Sequence, residues 1–140
     1  MLVRWSQKYS VEDETLDAQH KRLFEIMNSL YSDIRSCHPS RSELRDVIES
    51  LVQYGDMHFR AEEAAMRACG YPDLTGHAAE HRRYRHELQR LTYALTSDEK
   101  NSLDELGDFP LDLLNFLKDW WTKHIVQMDR DYIPFLRHRE

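Results

Sequence analysis

At 140 residues the chain has the length of one ordinary domain, enough to bury a single core and too short for two of typical size. With 41% hydrophobic, 31% charged and 11% aromatic residues but only four Gly and four Pro, it excludes disorder, collagen-like repeats and a turn-rich β-sandwich, and leaves a helix-rich domain. The formal charge of -6 has the wrong sign for a surface that sits on phosphate backbones, so nucleic acid is not an expected partner. The outlier is histidine, of which there are eight, twice the number of glycines.

Cys37 and Cys69 are too far apart in sequence for a C-x-x-C metal or redox site, and they indicate no disulfide framework. The first fifteen residues, MLVRWSQKYSVEDET, lack the apolar run of a signal peptide, and no later stretch approaches a membrane span. A cytoplasmic location and no membrane partner are the expectation.

After an N-terminal arm of residues 1–16 carrying Trp5 and Tyr9, apolar residues recur at helical spacing through Leu23, Met27, Leu30, Tyr31 and Ile34, which predicts a helix over 17–36. Pro39 stops it. Ser40 or Ser42 caps a second helix over 41–68, with the stripe Leu44, Val47, Ile48, Leu51, Tyr54 and an end at Gly70-Tyr71-Pro72. A third, 74–96, carries Tyr84, Leu88, Leu91 and Leu95. The connection that follows has room for a short extra turn near Leu103 to Leu106. Pro110 suits the first turn of a fourth helix, 110–131, with Leu113, Leu114, Leu117, Trp120 and Trp121 inward and Pro134 as its stop. Four amphipathic segments on short loops predict an all-α, antiparallel up-down-up-down four-helix bundle forming one domain over 1–140.

The histidines divide on this frame. His20 shares the stripe of Leu23 and Met27, and His58 and Glu62 continue the second stripe one turn apart. His77 and His81 repeat that spacing on the third helix, and His124 follows Trp120 and Trp121 on the fourth. Antiparallel neighbours are level when their midpoint falls in the connecting turn. His20 and His58 are centred on Pro39, the second and third helix pairs beside Gly70, and the third and fourth helices between Asn101 and Ser102. The six groups therefore share one layer. His38, His86 and His138 fall in a turn, on an outer face and in the tail.

A lone inward histidine is ordinarily a satisfied core residue. Five with a glutamate at one height would leave polar groups unpaired at about 1–3 kcal/mol each, a cost that a metal removes by using their lone pairs. Five imidazoles exceed what a structural zinc takes, and hard ions prefer oxygen. The donor set suits iron, copper, nickel or zinc, and its size suggests two ions with Glu62 between them. A second carboxylate must come from Asp129 or Asp131. Regular helical geometry favours Asp131, about 20° off the direction of His124, over Asp129 at about 140°.

LDAQHKRLF around His20, HFRAEEAAM around His58 and Glu62, YPDLTGHAAEH ending in His77 and His81, and WWTKHIVQMDRDYIPFL from Trp120 resemble the successive signatures of the hemerythrins, from Trp5 to Leu136. The resemblance implies that His77, His81 and His124 hold one iron and His20 and His58 a second. Glu62, Asp129 and a solvent-derived oxo or hydroxo group would bridge the two. The family's H-x-x-x-x-D spacing selects Asp129 over Asp131. The second iron, with one imidazole fewer, would keep an open position for dioxygen. The implied function is reversible oxygen binding for transport, storage or sensing, without enzymatic turnover. The alternative is a di-iron enzyme, or a protein handling iron, nitric oxide or peroxide on the same site. Trp121 stands where the family leads one to expect leucine in the dioxygen pocket, and Tyr84 where Phe is usual. Glu12 and Asp13 stand where Gly and an apolar residue are commoner.

Overall fold

The computed structural model describes residues 2–37, 39–97 and 109–137. Four long helices run α1 Glu14–Cys37, α2 Arg41–Ala68, α3 Leu74–Ser97 and α4 Phe109–Lys123. The fourth segment continues through a π-helical turn, His124–Met128, a 3₁₀ turn, Asp129–Tyr132, and a short α5, Ile133–Arg137. α1 packs between α2 and α4, and α2 also packs on α3, giving the antiparallel four-helix bundle; no strand occurs among the described residues.

Local chemistry sets the ends. At the start of α1 the Asp13 carboxylate accepts the Leu16 N–H at 3.0 Å, and Asp17 ties down the arm through the Val11 N–H (2.8 Å) and the Ser10 hydroxyl (2.6 Å). Ser40 caps α2 by accepting the Glu43 N–H at 3.1 Å. That helix closes with Gly70 at φ 73°, the Tyr71 N–H on the Met66 carbonyl (2.9 Å) and the Gly70 N–H on that of Arg67 (3.3 Å). Glu12, where the resemblance leads one to expect Gly, adopts a left-handed φ of 60°, and its carboxylate accepts from Arg137 of α5 at 2.6 Å.

Two apolar clusters fill the bundle. The larger holds Leu23, Met27, Leu51, Phe59, Tyr84, Leu88, Leu117 and Trp121. The smaller, at the other end, holds Val11, Leu16, Met66, Tyr132, Ile133 and Leu136. Every helix passes from one cluster to the other through a polar residue: Leu16 to Leu23 by way of His20, Phe59 to Met66 by way of Glu62.

The fourth segment departs from expectation. A regular helix to residue 131 was predicted, but α-helical bonding ends at Lys123, well before Pro134, which sits harmlessly in the first turn of α5. α1 also begins at Glu14, inside the predicted arm. His38, His138 and the suggested turn near Leu103 lie outside the described residues. Among the described residues no helix is long and apolar enough to cross a membrane.

Candidate metal centre

His20, His58, Glu62, His77, His81, His124 and Asp129 are each at most 4% exposed, and together they form the layer between the clusters. All five imidazoles turn Nε2 inward. Glu62 divides its two oxygens between them: Oε1 faces His77 (2.7 Å), His81 (3.0 Å) and His124 (3.7 Å), while Oε2 faces His58 (3.2 Å) and His20 (3.6 Å). Asp129 does the same, with Oδ1 toward His77 (2.7 Å) and His124 (2.9 Å) and Oδ2 toward His20 (3.2 Å). The donors thus separate into two groups, Glu62 with His77, His81 and His124, and Glu62 with His20, His58 and Asp129.

His77 and His81 reach hydrogen-bond geometry on Glu62 Oε1, but around Asp129, His20 and His58 the atoms are close and badly aimed for one another. His20 Nε2 and Asp129 Oδ2 lie 3.2 Å apart, yet neither has a hydrogen-bond partner, and His58 Nε2 and Asp129 Oδ1 are orphaned in the same way. His81 and His124 point Nε2 at Nε2 across 3.2 Å. Buried lone pairs that converge on shared space rather than on donors are what a cation requires and what a hydrogen-bonded core avoids.

Charge tells the same story. Burial opposes protonation of His20, but the Asp129 and Glu62 carboxylates outweigh it and raise its pKa to about 9. The same balance takes His77 to about 10 and His124 to about 9. Burial lowers His58, and the attraction of Glu62 and Asp129, opposed by His20, does not compensate. For Glu62 and Asp129 burial favours the neutral form, yet the surrounding imidazoles hold both below the usual carboxylate range. Without metal, protons on imidazole take the place of cationic charge.

Residues 11–136 match the sequence profile of the Hemerythrin HHE cation binding domain. The chain belongs to the hemerythrin family. Its relatives include the Bacteriohemerythrin of Methylococcus capsulatus, 31% identical over 120 residues that cover 86% of this chain and 85% of that protein. That of Campylobacter jejuni is 38% identical over 131 residues, covering 93% and 92%. A crystal structure of wild-type hemerythrin matches with a TM-score of 0.81 at 28% identity, over 97% of this chain and 98% of that one. The buried donor cluster fits the di-iron centre of the family.

The π turn explains which aspartate faces inward. The Asp129 N–H bonds to the His124 carbonyl five residues back, so the turn takes in one residue more than an α turn and Asp129 comes round beneath His124. Asp129 is fully buried, whereas Asp131, which regular geometry favours, is exposed. His86 is exposed too.

Trp121 is fully buried, its ring centroid 5.8 Å from that of His58 and 6.5 Å from that of His20, on the side of the group with fewer imidazoles. Its Nε1 is buried, with the Tyr84 hydroxyl as its polar neighbour. On the other side, Trp120 stacks on His124 at 4.4 Å and, with Phe116, Asp119, Lys123 and Met128, lines a surface cleft of about 410 Å³ that reaches that histidine.

Sequence reasoning missed three residues that touch the layer. The Tyr132 hydroxyl donates to Glu62 Oε2 at 3.2 Å. Gln19 Oε1 lies 2.7 Å from His58 Nδ1, and Glu63 Oε2 lies 2.9 Å from His81 Nδ1. Gln19 and Glu63 each adjoin an inward residue, His20 and Glu62, so they face the neighbouring helix where its inward imidazole lies. That adjacency was the available signal.

Proposed function

We propose that His77, His81 and His124 hold one iron ion, that His20 and His58 hold a second, and that Glu62 and Asp129 bridge them in a protein that binds dioxygen reversibly. The observation that carries this reading is the division of each carboxylate, with one oxygen turned to each histidine group. Two ferrous ions held by these residues would supply the two electrons that binding of dioxygen requires.

The chain's own residues do the rest. Leu23, Met27 and Leu117 are fully buried in the cluster that also holds Trp121, and they wall that side of the layer against water. A dry wall offers no solvent protons and stabilises no separated charge, which favours release of the ligand unchanged. Trp121 is the pocket residue on this reading, and its indole narrows the space that a smaller side chain would leave. The protein is accordingly a cytoplasmic carrier, store or sensor and not an enzyme.

The test is anaerobic reduction of the iron-loaded protein, admission of air and then removal of oxygen. A visible spectrum that appears with oxygen and vanishes on its removal supports reversible binding. Irreversible conversion to a ferric product supports the di-iron enzyme instead.

A further inference from the structure

The two histidine groups are supported from behind by groups of different charge. His81 turns Nε2 to the layer and Nδ1 to the Glu63 carboxylate at 2.9 Å; an ionised carboxylate only accepts, so Nδ1 carries the hydrogen. His58 turns Nδ1 to Gln19 Oε1 at 2.7 Å. The amide nitrogen of Gln19 is turned to Met57 Sδ at 3.6 Å, which leaves its uncharged oxygen as the acceptor. The Nδ1 atoms of His20 and His77 have no hydrogen-bond partner. One imidazole in each group is therefore held by a fixed acceptor, and only the group of three has an anion behind it. The Glu63 side chain is 28% exposed, so part of its field acts through protein rather than water.

We infer that Glu63 is a positioning residue that makes the ion held by His77, His81 and His124 the more easily oxidised of the two, while Gln19 fixes His58 without adding charge. An anionic acceptor on Nδ1 increases the electron donation of Nε2 and places negative charge near the ion, and both effects favour its higher oxidation state. The site that would be more easily oxidised is then the one away from Trp121. The asymmetry that serves oxygen binding is in this way built into two residues that touch no metal.

The inference rests on the two-iron reading above. Its test is a mediated redox titration at constant pH of iron-loaded wild type, E63Q, Q19E and E80Q, with iron content measured on each. E63Q keeps the acceptor oxygen and removes the charge; its oxidation equilibrium shifts about tenfold toward ferrous, 59 mV for one electron. Q19E adds charge behind His58 and shifts the equilibrium toward ferric by a similar factor. E80Q, which removes a half-buried charge that pairs with Arg83 rather than with an imidazole of the layer, shifts the potential much less than E63Q. A potential for E63Q equal to that of wild type, or shifted no more than that of E80Q, overturns the inference. If E63Q binds less iron, the Q19E titration decides: a potential not lowered overturns the inference and a lowered one supports it. Wild type with fewer than two irons per chain defeats the two-iron reading itself, whereas two irons with unshifted variant potentials defeats only this inference.

Discussion

Deleting Gln127, an exposed residue within the π turn, should leave the metal centre intact. In a regular α-helix each residue advances about 100° and rises about 1.5 Å, so a residue five beyond His124 points about 140° away, and one four beyond it about 40° away and about 6 Å along the axis. The π turn brings Asp129 inward across a five-residue spacing. With Gln127 removed the spacing becomes four, an ordinary α turn brings the same carboxylate to the same face, and Tyr132, Ile133 and Leu136 keep their places in the smaller cluster. The deletion variant is therefore expected to hold two irons per chain after anaerobic reconstitution and to melt no earlier than wild type, read by elemental analysis and circular dichroism. D131N is expected to match it, and D129N to lose iron. A deletion variant that folds but has lost its iron, or a D129N protein that retains both ions, would refute the account of the turn.

Three further outcomes follow from the layer. His124→Ala loses iron while His86→Ala keeps it, because only the first reaches the cluster; equal iron content in the two would count against the layer. Tyr132→Phe removes a buried donor to Glu62, and lowers the urea-unfolding free energy of the metal-free protein by about 1.5 kcal/mol with both irons still bound in the loaded form; unchanged stability would show that the 3.2 Å contact contributes nothing. The metal-free protein should also show a defined pH dependence. His20, His77 and His124 have folded pKa values raised to about 9, 10 and 9 from 6.5, so their stabilisation is complete below pH 6.5 and is lost as pH rises through 9 to 10. Glu62 and Asp129 are lowered, so theirs is present above their ordinary values of 4.5 and 3.8 and is lost as pH falls below them. Melting temperatures of the metal-free protein measured from pH 4 to 10 should peak between about 5 and 6.5; a midpoint that climbs toward pH 9 would contradict the charge balance described for the layer.

What could be read from the chain was whatever depends on periodicity and on antiparallel geometry. Pro39 midway between His20 and His58, and Gly70 midway between the second and third helix pairs, set three helices at one height, and the midpoint near Asn101 did the same for His124. Capping was legible at Ser40, and the stop at Gly70 follows from the left-handed turn that glycine tolerates. The choice between Asp129 and Asp131 was not legible, because a π turn changes the angular step without changing residue type; residue spacing alone favoured the exposed Asp131, and only the family's motif corrected it. Tyr132 reads as an ordinary core aromatic until its hydroxyl is seen against Glu62. Gln19 and Glu63 sit beside the inward stripes rather than on them, so a test that looks for one face of a helix passes over residues that act on the helix next door.

The most direct test of the central claim is a Mössbauer spectrum of protein reconstituted with ⁵⁷Fe, taken with iron and protein quantified on the same sample. Two irons per chain in two equally populated environments are expected, because one ion would take three imidazoles and the other two. A single iron per chain, or two irons in one indistinguishable environment, would contradict the assignment of His77, His81 and His124 to one ion and His20 and His58 to the other.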